Sequence, residues 1–209
     1  MKILSVSSLA LDGIKVVRFA RFQDQRGYFS VPFLRAEVDR HPEMSWLAHR
    51  PFVQANESYS RPDVVRGLHF QWNPSVGKLI RTIHGHLVDI VLDIRPSSAT
   101  CGKAIMHDMP AASDTPWSEW IWVPPGFAHG TVFVEETRIE YFCTGEYNPA
   151  CEAAISPMAD DIDWSLCDPR LKTRFDTLVT SGASMLSDKD RLGSSLSAWL
   201  ADERSVNFS

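Results

Sequence analysis

Short runs of apolar or alternating residues, separated by turn residues, fill the chain from about Ile14 to Gly145. Neighbouring runs start roughly 8 to 12 residues apart, a spacing typical of all-β sandwiches and barrels. The runs are IKVVRFARF, YFSVPF, VVRGLHFQ, GKLIRTIHG, LVDIVLDI, EWIWVP, GTVFV and RIEYFC. Pro and Gly between them, as in RPSS at 95–98 and VPPGFAHG at 123–130, indicate turns. The pattern therefore predicts a protein dominated by β-strands.

The run LVDIVLDI separates into two faces. Because side chains alternate along a strand, Val88, Ile90 and Leu92 share one face. Asp89 lies on the other face, together with Val91. The first face is expected to belong to the core, and the second is a candidate lining for a wet space.

Helical periodicity is limited to about residues 34–41 and 196–204. The stretch from Asp160 to Asp190 is less periodic and is expected to wrap the outside of a barrel. No internal repeat or linker interrupts the chain, and its 209 residues suit one domain with its own core. We therefore expect a single domain over residues 1–209, in which a segment from about residue 160 wraps the barrel.

The charge and the cysteines exclude several kinds of partner and site. A formal net charge of −5 gives no general attraction to nucleic acid, so an anionic ligand has to be held by a local group of Arg and Lys. The N-terminal stretch is too short and too polar to span a bilayer, and the expected location is the cytoplasm. Four cysteines without C-x-x-C spacing indicate reduced thiols rather than a zinc ribbon or a disulfide scaffold.

Several strands carry residues that could do chemistry. His69 lies within the strand-like run RGLHFQ, where alternation places it on the opposite face from Arg66. Lys78 and Tyr141 also lie within predicted strands. Each has an ordinary structural explanation: a hydrogen-bonded His, a solvated Lys, or a core Tyr with a satisfied hydroxyl. None of the three is informative alone.

Two further segments are open to a structural or a functional interpretation. His129 follows Pro and Gly in a segment that is typical of a tight turn, where packing gives little reason for an imidazole. The cluster LSDKD at 186–190 is typical of a helix N-terminus with Ser187 or Asp188 as its cap.

A metal site is a competing hypothesis. His84 and His86, followed by Asp89 and the distant His129, are similar to the ligands of metal-binding β-barrels. The spacing fits poorly, because Asp89 would point away from the two histidines on a regular strand. No metal is therefore expected.

The motifs RGLHFQ, GKLIR, VDIVLDIR, VPPGFAHG, the Tyr141 strand and LSDKD occur in this order. As a set, spanning about Asp24 to Asp190, they resemble the dTDP-4-dehydrorhamnose 3,5-epimerase family. The resemblance implies an all-β, cupin-type jelly-roll barrel with a few short peripheral helices. It also implies a homodimer with exchanged N-terminal strands and no cofactor.

The resemblance implies an isomerase that inverts C3, C5 or both of a dTDP-4-keto-6-deoxyhexose. It assigns His69 as the base, with Asp190 as its orienting partner, and Tyr141 as the acid on the opposite face of the sugar. Lys78 would stabilise the enolate that forms when the proton is removed. A carboxylate suits such a base, since it fixes the imidazole tautomer and stabilises the imidazolium.

The resemblance also implies a set of substrate-binding residues. Arg66 and Arg26 would hold the diphosphate, a role that suits a planar guanidinium. The other implied contacts are Gln54, Asn56, His129, Tyr147 and Lys189.

The chain departs from the family pattern at three places. Val31 stands where an acidic residue is usual, the link at 72–76 is shorter than usual, and the segment from Ala150 to Trp164 differs. The first two lie near the expected nucleotide or sugar site, and the third suggests a specialised pathway rather than the common rhamnose one.

Three alternatives stay open. The enzyme could invert one centre only, it could be a metal-dependent cupin that uses His84, His86 and His129, or it could bind sugar nucleotides without catalysis. The last is disfavoured, because the chain carries all four of the presumed catalytic residues.

Overall fold

The computed structural model, which describes residues 1–208, is built around two antiparallel β-sheets. The strands are β1 (Ile3–Ser8), β2 (Lys15–Asp24), β3 (Gly27–Ser30), β4 (Gln54–Ser60), β5 (Val65–Gln71), β6 (Lys78–His84), β7 (His86–Asp93), β8 (Ala104–Pro110), β9 (Trp117–Val123), β10 (Phe127–Phe133), β11 (Thr137–Cys143) and β12 (Glu152–Ala154). The helices are α1 (Arg35–Arg40), α2 (Pro169–Thr180), α3 (Asp188–Arg191) and α4 (Leu196–Leu200), with 3-10 turns at Pro42–Met44, Pro149–Cys151 and Glu203–Phe208.

The larger sheet has the order β1-β2-β9-β6-β11-β4, with β3 paired to β2 alone. The smaller sheet has the order β12-β5-β10-β7-β8. Strands that are distant in the chain are neighbours in both sheets, as in a double-sheet jelly roll. The predicted jelly roll with a few short helices is confirmed. No helix within residues 1–208 has the length and apolar character needed to cross a membrane.

Three apolar layers hold the sheets. The layer between them joins residues of both sheets, such as Ile80, Val91 and Ile121. A second layer lies on the outer face of the smaller sheet, where Ile90 contacts a cluster that includes Trp199 of α4. The third covers the outer face of the larger sheet and consists of Val17, Phe19, Val38, Met44, Leu47, Leu79, Trp120 and Trp122.

The two faces predicted for LVDIVLDI are confirmed. Val88, Ile90 and Leu92 all lie in the outer cluster on β7, beneath the C-terminal segment. Asp89 points to the space between the sheets, where it contacts His129. The C-terminal segment covers the outer face of the smaller sheet because that face is apolar.

Some elements escaped the sequence analysis. Strand β4 has the sequence QANESYS, which has no apolar alternation because its inward side chains are polar. Helix α2 was not predicted, although Asp168 followed by Pro169 is a helix-start signature: the Asp168 side chain accepts a hydrogen bond from the Arg170 N–H. The expected helix at 34–41 corresponds to α1, and the one at 196–204 splits into α4 and a 3-10 turn.

An irregularity in β5 sets the direction of the side chains around it. The register between β5 and β10 shifts between the pairs His129–His69 and Thr131–Arg66. Gly67, at this shift, has a φ of +102°, and a Cβ there would lie 2.6 Å from Gly130 Cα and from the His129 carbonyl oxygen. Only glycine fits, because it tolerates positive φ and lacks the atom that would clash.

We expect Gly67→Ala to lower the free energy of unfolding by about 3 kcal/mol, because it adds a steric clash to the cost of a left-handed backbone. Gly182→Ala is the matched control: its φ is +73°, but no atom lies within 4 Å of the position that a Cβ would take there. That variant should lose only about 1 kcal/mol. Urea unfolding measures both, and equal losses would contradict the packing argument.

Candidate active site

A cavity of about 310 Å³ lies between the two sheets. It shares part of its wall with a second cavity of about 260 Å³. The residues that line both cavities are His69, Lys78, His129 and Tyr141. His69 and His129 come from the smaller sheet, while Lys78 and Tyr141 come from the larger one. Three of the four predicted catalytic side chains thus line the same space between the sheets.

His69 is held by the fourth, Asp190. Its Nε2 lies 2.6 Å from Asp190 Oδ1, and Asp190 is 4 % exposed. Burial on its own raises the pKa of Asp190, but the hydrogen bond and charge of His69, together with hydrogen bonds from Ser187 and the Gly67 backbone, hold the pKa below its usual value. An ionised carboxylate behind the ring fixes its tautomer and stabilises its protonated form, as a general base requires.

Asp190 is positioned by the cap of helix α3. The Ser187 hydroxyl accepts a hydrogen bond from the Asp190 N–H at 3.2 Å, so that Ser187 is the predicted N-cap. The LSDKD segment therefore has both a structural and a functional role: it begins helix α3, and its last residue contacts His69. The cap orients the first turn, and the first turn presents Asp190 to the strand.

A second His–carboxylate pair lies beside the first. His129 Nε2 is 2.7 Å from Asp89 Oδ2, and Asp89 is fully buried. Asp89 Oδ1 has no hydrogen-bond partner among residues 1–208. His129 is paired in register with His69, which puts it in strand β10. The prediction that His129 lies in a tight turn was therefore wrong: the turn residues end at Gly126, and β10 begins at Phe127.

Lys78 contributes its side-chain amino group to both cavities. Burial lowers its pKa, because the ammonium loses hydration, although the carboxylates of Glu152 and Asp89 favour its charged form. Those carboxylates have other partners, since Glu152 pairs with Lys189 and Asp89 with His129. The ammonium is therefore available to an anion in the cavity.

Tyr141 lies across the cavity from the two histidines, on β11 of the larger sheet. Burial raises the pKa of its hydroxyl, because the phenolate would be poorly solvated there. The hydroxyl thus stays protonated at neutral pH and can donate a proton. Cys143, two residues along the same strand, lines the main cavity as a thiol whose pKa is also raised by burial.

The rim of the main cavity has a residue that the sequence analysis missed. Glu152 accepts hydrogen bonds from Lys189 at 2.5 Å and from the Tyr147 hydroxyl at 3.1 Å. It lies on the short strand β12, where the sequence shows no strand signal. Gln54 and Asn56 line the same cavity, and the Gln54 side chain accepts from the Tyr147 N–H.

The two predicted diphosphate arginines have different positions. Arg66 lines the second cavity together with His69, so the expectation that they face opposite ways was wrong: the bulge at Gly67 shifts the alternation. Arg66 Nε donates to the Ser60 hydroxyl at 3.1 Å. Arg26 lines neither cavity, and its side chain is 84 % exposed and paired with Asp24 on the β2–β3 hairpin.

The candidate metal ligands do not meet. His86 pairs with Asp108 at 2.5 Å, His129 pairs with Asp89, and His84 is exposed at the end of β6. Among the residues that the structure describes, no three His, Cys, Asp or Glu side chains are grouped so as to hold a metal ion.

The chain is similar to known sugar-nucleotide epimerases. The sequence model of the dTDP-4-dehydrorhamnose 3,5-epimerase family matches residues 8–198. The chain is similar to the dTDP-4-dehydrorhamnose 3,5-epimerase of Neisseria gonorrhoeae, with 31% identity over 206 residues, which are 97% of this chain and 55% of that relative. The chain thus spans about half the length of this relative.

Two solved structures are similar over nearly the whole chain. A dTDP-6-deoxy-D-glucose-3,5-epimerase of Legionella pneumophila, in complex with dTDP-4-keto-L-rhamnose, has a TM-score of 0.77 and 27% identity, covering 96% of both chains. A 4-keto-6-deoxy sugar epimerase from the novobiocin gene cluster of Streptomyces spheroides has a TM-score of 0.77 and 25% identity, covering 95% of this chain and 90% of that one.

We expect Lys78→Met to raise the free energy of unfolding at pH 7, on the order of 1 kcal/mol, since it removes a poorly hydrated charge and keeps the side-chain volume. Burial lowers the pKa of Lys78 in the folded chain, so the unfolded chain binds the ammonium proton more tightly. Below the folded pKa, the charged Lys78 therefore lowers the free energy of unfolding. The cost disappears as the pH rises from the folded pKa to the unfolded one.

Denaturant unfolding at several pH values measures this effect. The gain should therefore shrink at alkaline pH. Lys2→Met, at an exposed position, should change stability by less than about 0.5 kcal/mol. A Lys78→Met variant less stable than the parent would show that the ammonium makes a stabilising contact.

Proposed function

Because the chain belongs to the dTDP-4-dehydrorhamnose 3,5-epimerase family, we propose that it is a dTDP-sugar epimerase of deoxysugar biosynthesis. It inverts C3, C5 or both of a dTDP-4-keto-6-deoxyhexose. The observation that carries the proposal is the facing arrangement of His69, with its buried carboxylate, and the protonated Tyr141 on the opposite sheet. Inversion needs such a base and acid, because the proton returns to the face opposite the one it left.

The 4-keto group acidifies the hydrogens on C3 and C5. His69 removes one of them, and the charge develops on the oxygen at C4. Lys78, whose ammonium has no carboxylate of its own, stabilises that oxygen more strongly as it becomes anionic. Tyr141 then protonates the carbon from the other side, and Asp190 stabilises the imidazolium in the meantime.

Substrate binding is assigned to the residues around this centre. Arg66, which lines the second cavity, binds the diphosphate. Gln54, Asn56, His129, Tyr147 and Lys189 contact the sugar or the nucleotide, which their positions on the lining and rim support. The dTDP-sugar in the Legionella pneumophila structure supports the same class of substrate.

The enzyme is proposed to act as a homodimer in which N-terminal strands are exchanged. The β2–β3 hairpin supports this, because Phe22, Tyr28 and Phe29 are exposed on it, Phe29 at 66 %. Exposed aromatic groups on a hairpin favour contact with another chain. Arg26, at the tip of this hairpin and outside its own cavity, then binds the diphosphate in the partner's site.

The test of the proposed reaction is proton NMR of dTDP-4-keto-6-deoxyglucose with the enzyme in heavy water, following the C3 and C5 signals separately. Loss of both signals supports inversion at two centres, and loss of one supports a mono-epimerase. His69→Asn should slow the exchange by about 10² to 10⁴-fold, because it removes the base. Tyr141→Phe should allow exchange but reduce inverted product by about 10²-fold, because His69 returns deuterium to the original face.

His86→Asn is the matched control, since His86 also pairs with an Asp but lines neither cavity. It should keep near-normal turnover. Unchanged exchange in His69→Asn, or no exchange at either carbon with the parent enzyme, would refute the proposed activity.

Subunit complementation tests the shared site. We expect Arg26→Glu and His69→Asn dimers each to be nearly inactive, because each lacks one part of both sites. A heterodimer of the two variants has one site with both changes and one with neither, and should recover about half of the parent activity. Heterodimers are isolated with two different affinity tags. Activity no higher than that of the separate variants would show that Arg26 does not serve the partner's site.

A further inference from the structure

Strand β4 presents a row of polar side chains to the space between the sheets. Gln54, Asn56, Ser58 and Ser60 alternate with the outward residues of the strand, of which Tyr59 is 52 % exposed. Most of this row has a partner in the protein: Gln54 donates to Asn56 at 2.9 Å, and Ser60 accepts from Arg66.

Ser58 is the exception. Its Oγ is buried and has no hydrogen-bond partner among residues 1–208. A buried hydroxyl is normally hydrogen-bonded, because it otherwise loses its contacts with water without replacement. An orphaned hydroxyl on a cavity wall is therefore a place where a ligand atom would be stabilised.

The cavity that Ser58 borders is suited to an anion. Its lining contains Arg66, Lys78 and His129, and among the described residues no Asp or Glu contributes to that lining. The main cavity, in contrast, includes Glu152 in its wall. Arg66 uses Nε for Ser60, which leaves the two terminal nitrogens of its guanidinium for a ligand.

We propose that the Ser58 hydroxyl donates a hydrogen bond to a diphosphate oxygen of the substrate, beside Arg66. This rests on the proposed function and adds a binding residue to it. The diphosphate keeps its charge throughout the reaction, so this hydrogen bond stabilises the ground state and the transition state equally. Its loss should raise KM and leave kcat unchanged.

The test compares Ser58→Ala with the parent enzyme. We expect KM for the dTDP-4-keto sugar, and the Kd of dTDP measured by calorimetry, to rise about tenfold, the effect of one hydrogen bond to a charged group. The Kd of thymidine, which has no phosphate, should not change. The stability of the unliganded variant should equal or exceed that of the parent, because the orphaned hydroxyl is gone; a structural role would lower it.

Ser97→Ala, at an exposed position between β7 and β8 that lines neither cavity, is the control and should match the parent in every measurement. Unchanged KM and Kd in Ser58→Ala would overturn the inference while leaving the proposed function intact. A fall in kcat without a change in KM would also overturn it, since the hydroxyl would then act at the reacting sugar. If the parent enzyme neither binds dTDP nor exchanges sugar protons, the proposed function fails and the inference fails with it.

Discussion

The hydrogen bond between His69 and Asp190 joins a strand in the first half of the chain to a helix near its end. It can form only if the C-terminal segment is held against the smaller sheet. Backbone hydrogen bonds do part of this work: the Val65 N–H donates to the Met185 carbonyl, and Leu68 exchanges two bonds with Ile155. The apolar cluster around Trp199 does the rest. The position of Asp190 behind His69 thus depends on how the C-terminal segment packs on the outer face of the smaller sheet.

Polar groups inside a two-sheet core reduce stability, and this core contains several. Asp89 and Ser58 each have a buried oxygen without a partner among the described residues, and burial lowers the pKa of Lys78. Each would cost free energy in a core made only for packing. Apolar layers on both outer faces compensate for this, so the space between the sheets can be used for chemistry.

The contrast between apolar outer faces and a polar space between the sheets explains which strands could be recognised in the sequence. Strand β7 is apolar on its outer face, and its alternation is plain in the sequence. Strand β4 is an edge strand whose inward residues face the cavity, so it has no apolar pattern to detect. Glu152 was missed for a related reason, because it is identified only by its contacts with Lys189 and Tyr147. Lys189 is distant in the chain, and no periodic pattern in the sequence marks the contact with Tyr147.

The sequence by itself determined the all-β class, the double-sheet fold through family resemblance, and many of the side chains that line the two cavities, although not Glu152 or Ser58. Hydrophobic periodicity and motif order are local properties, and they survive in a linear chain. Only the tertiary structure decided where those side chains point. A single bulge at Gly67 turns Arg66 to the side of His69, and strand pairing puts His129 beside His69 rather than in a turn. Register and bulges arise from contacts between distant strands, so no local pattern of residues encodes them.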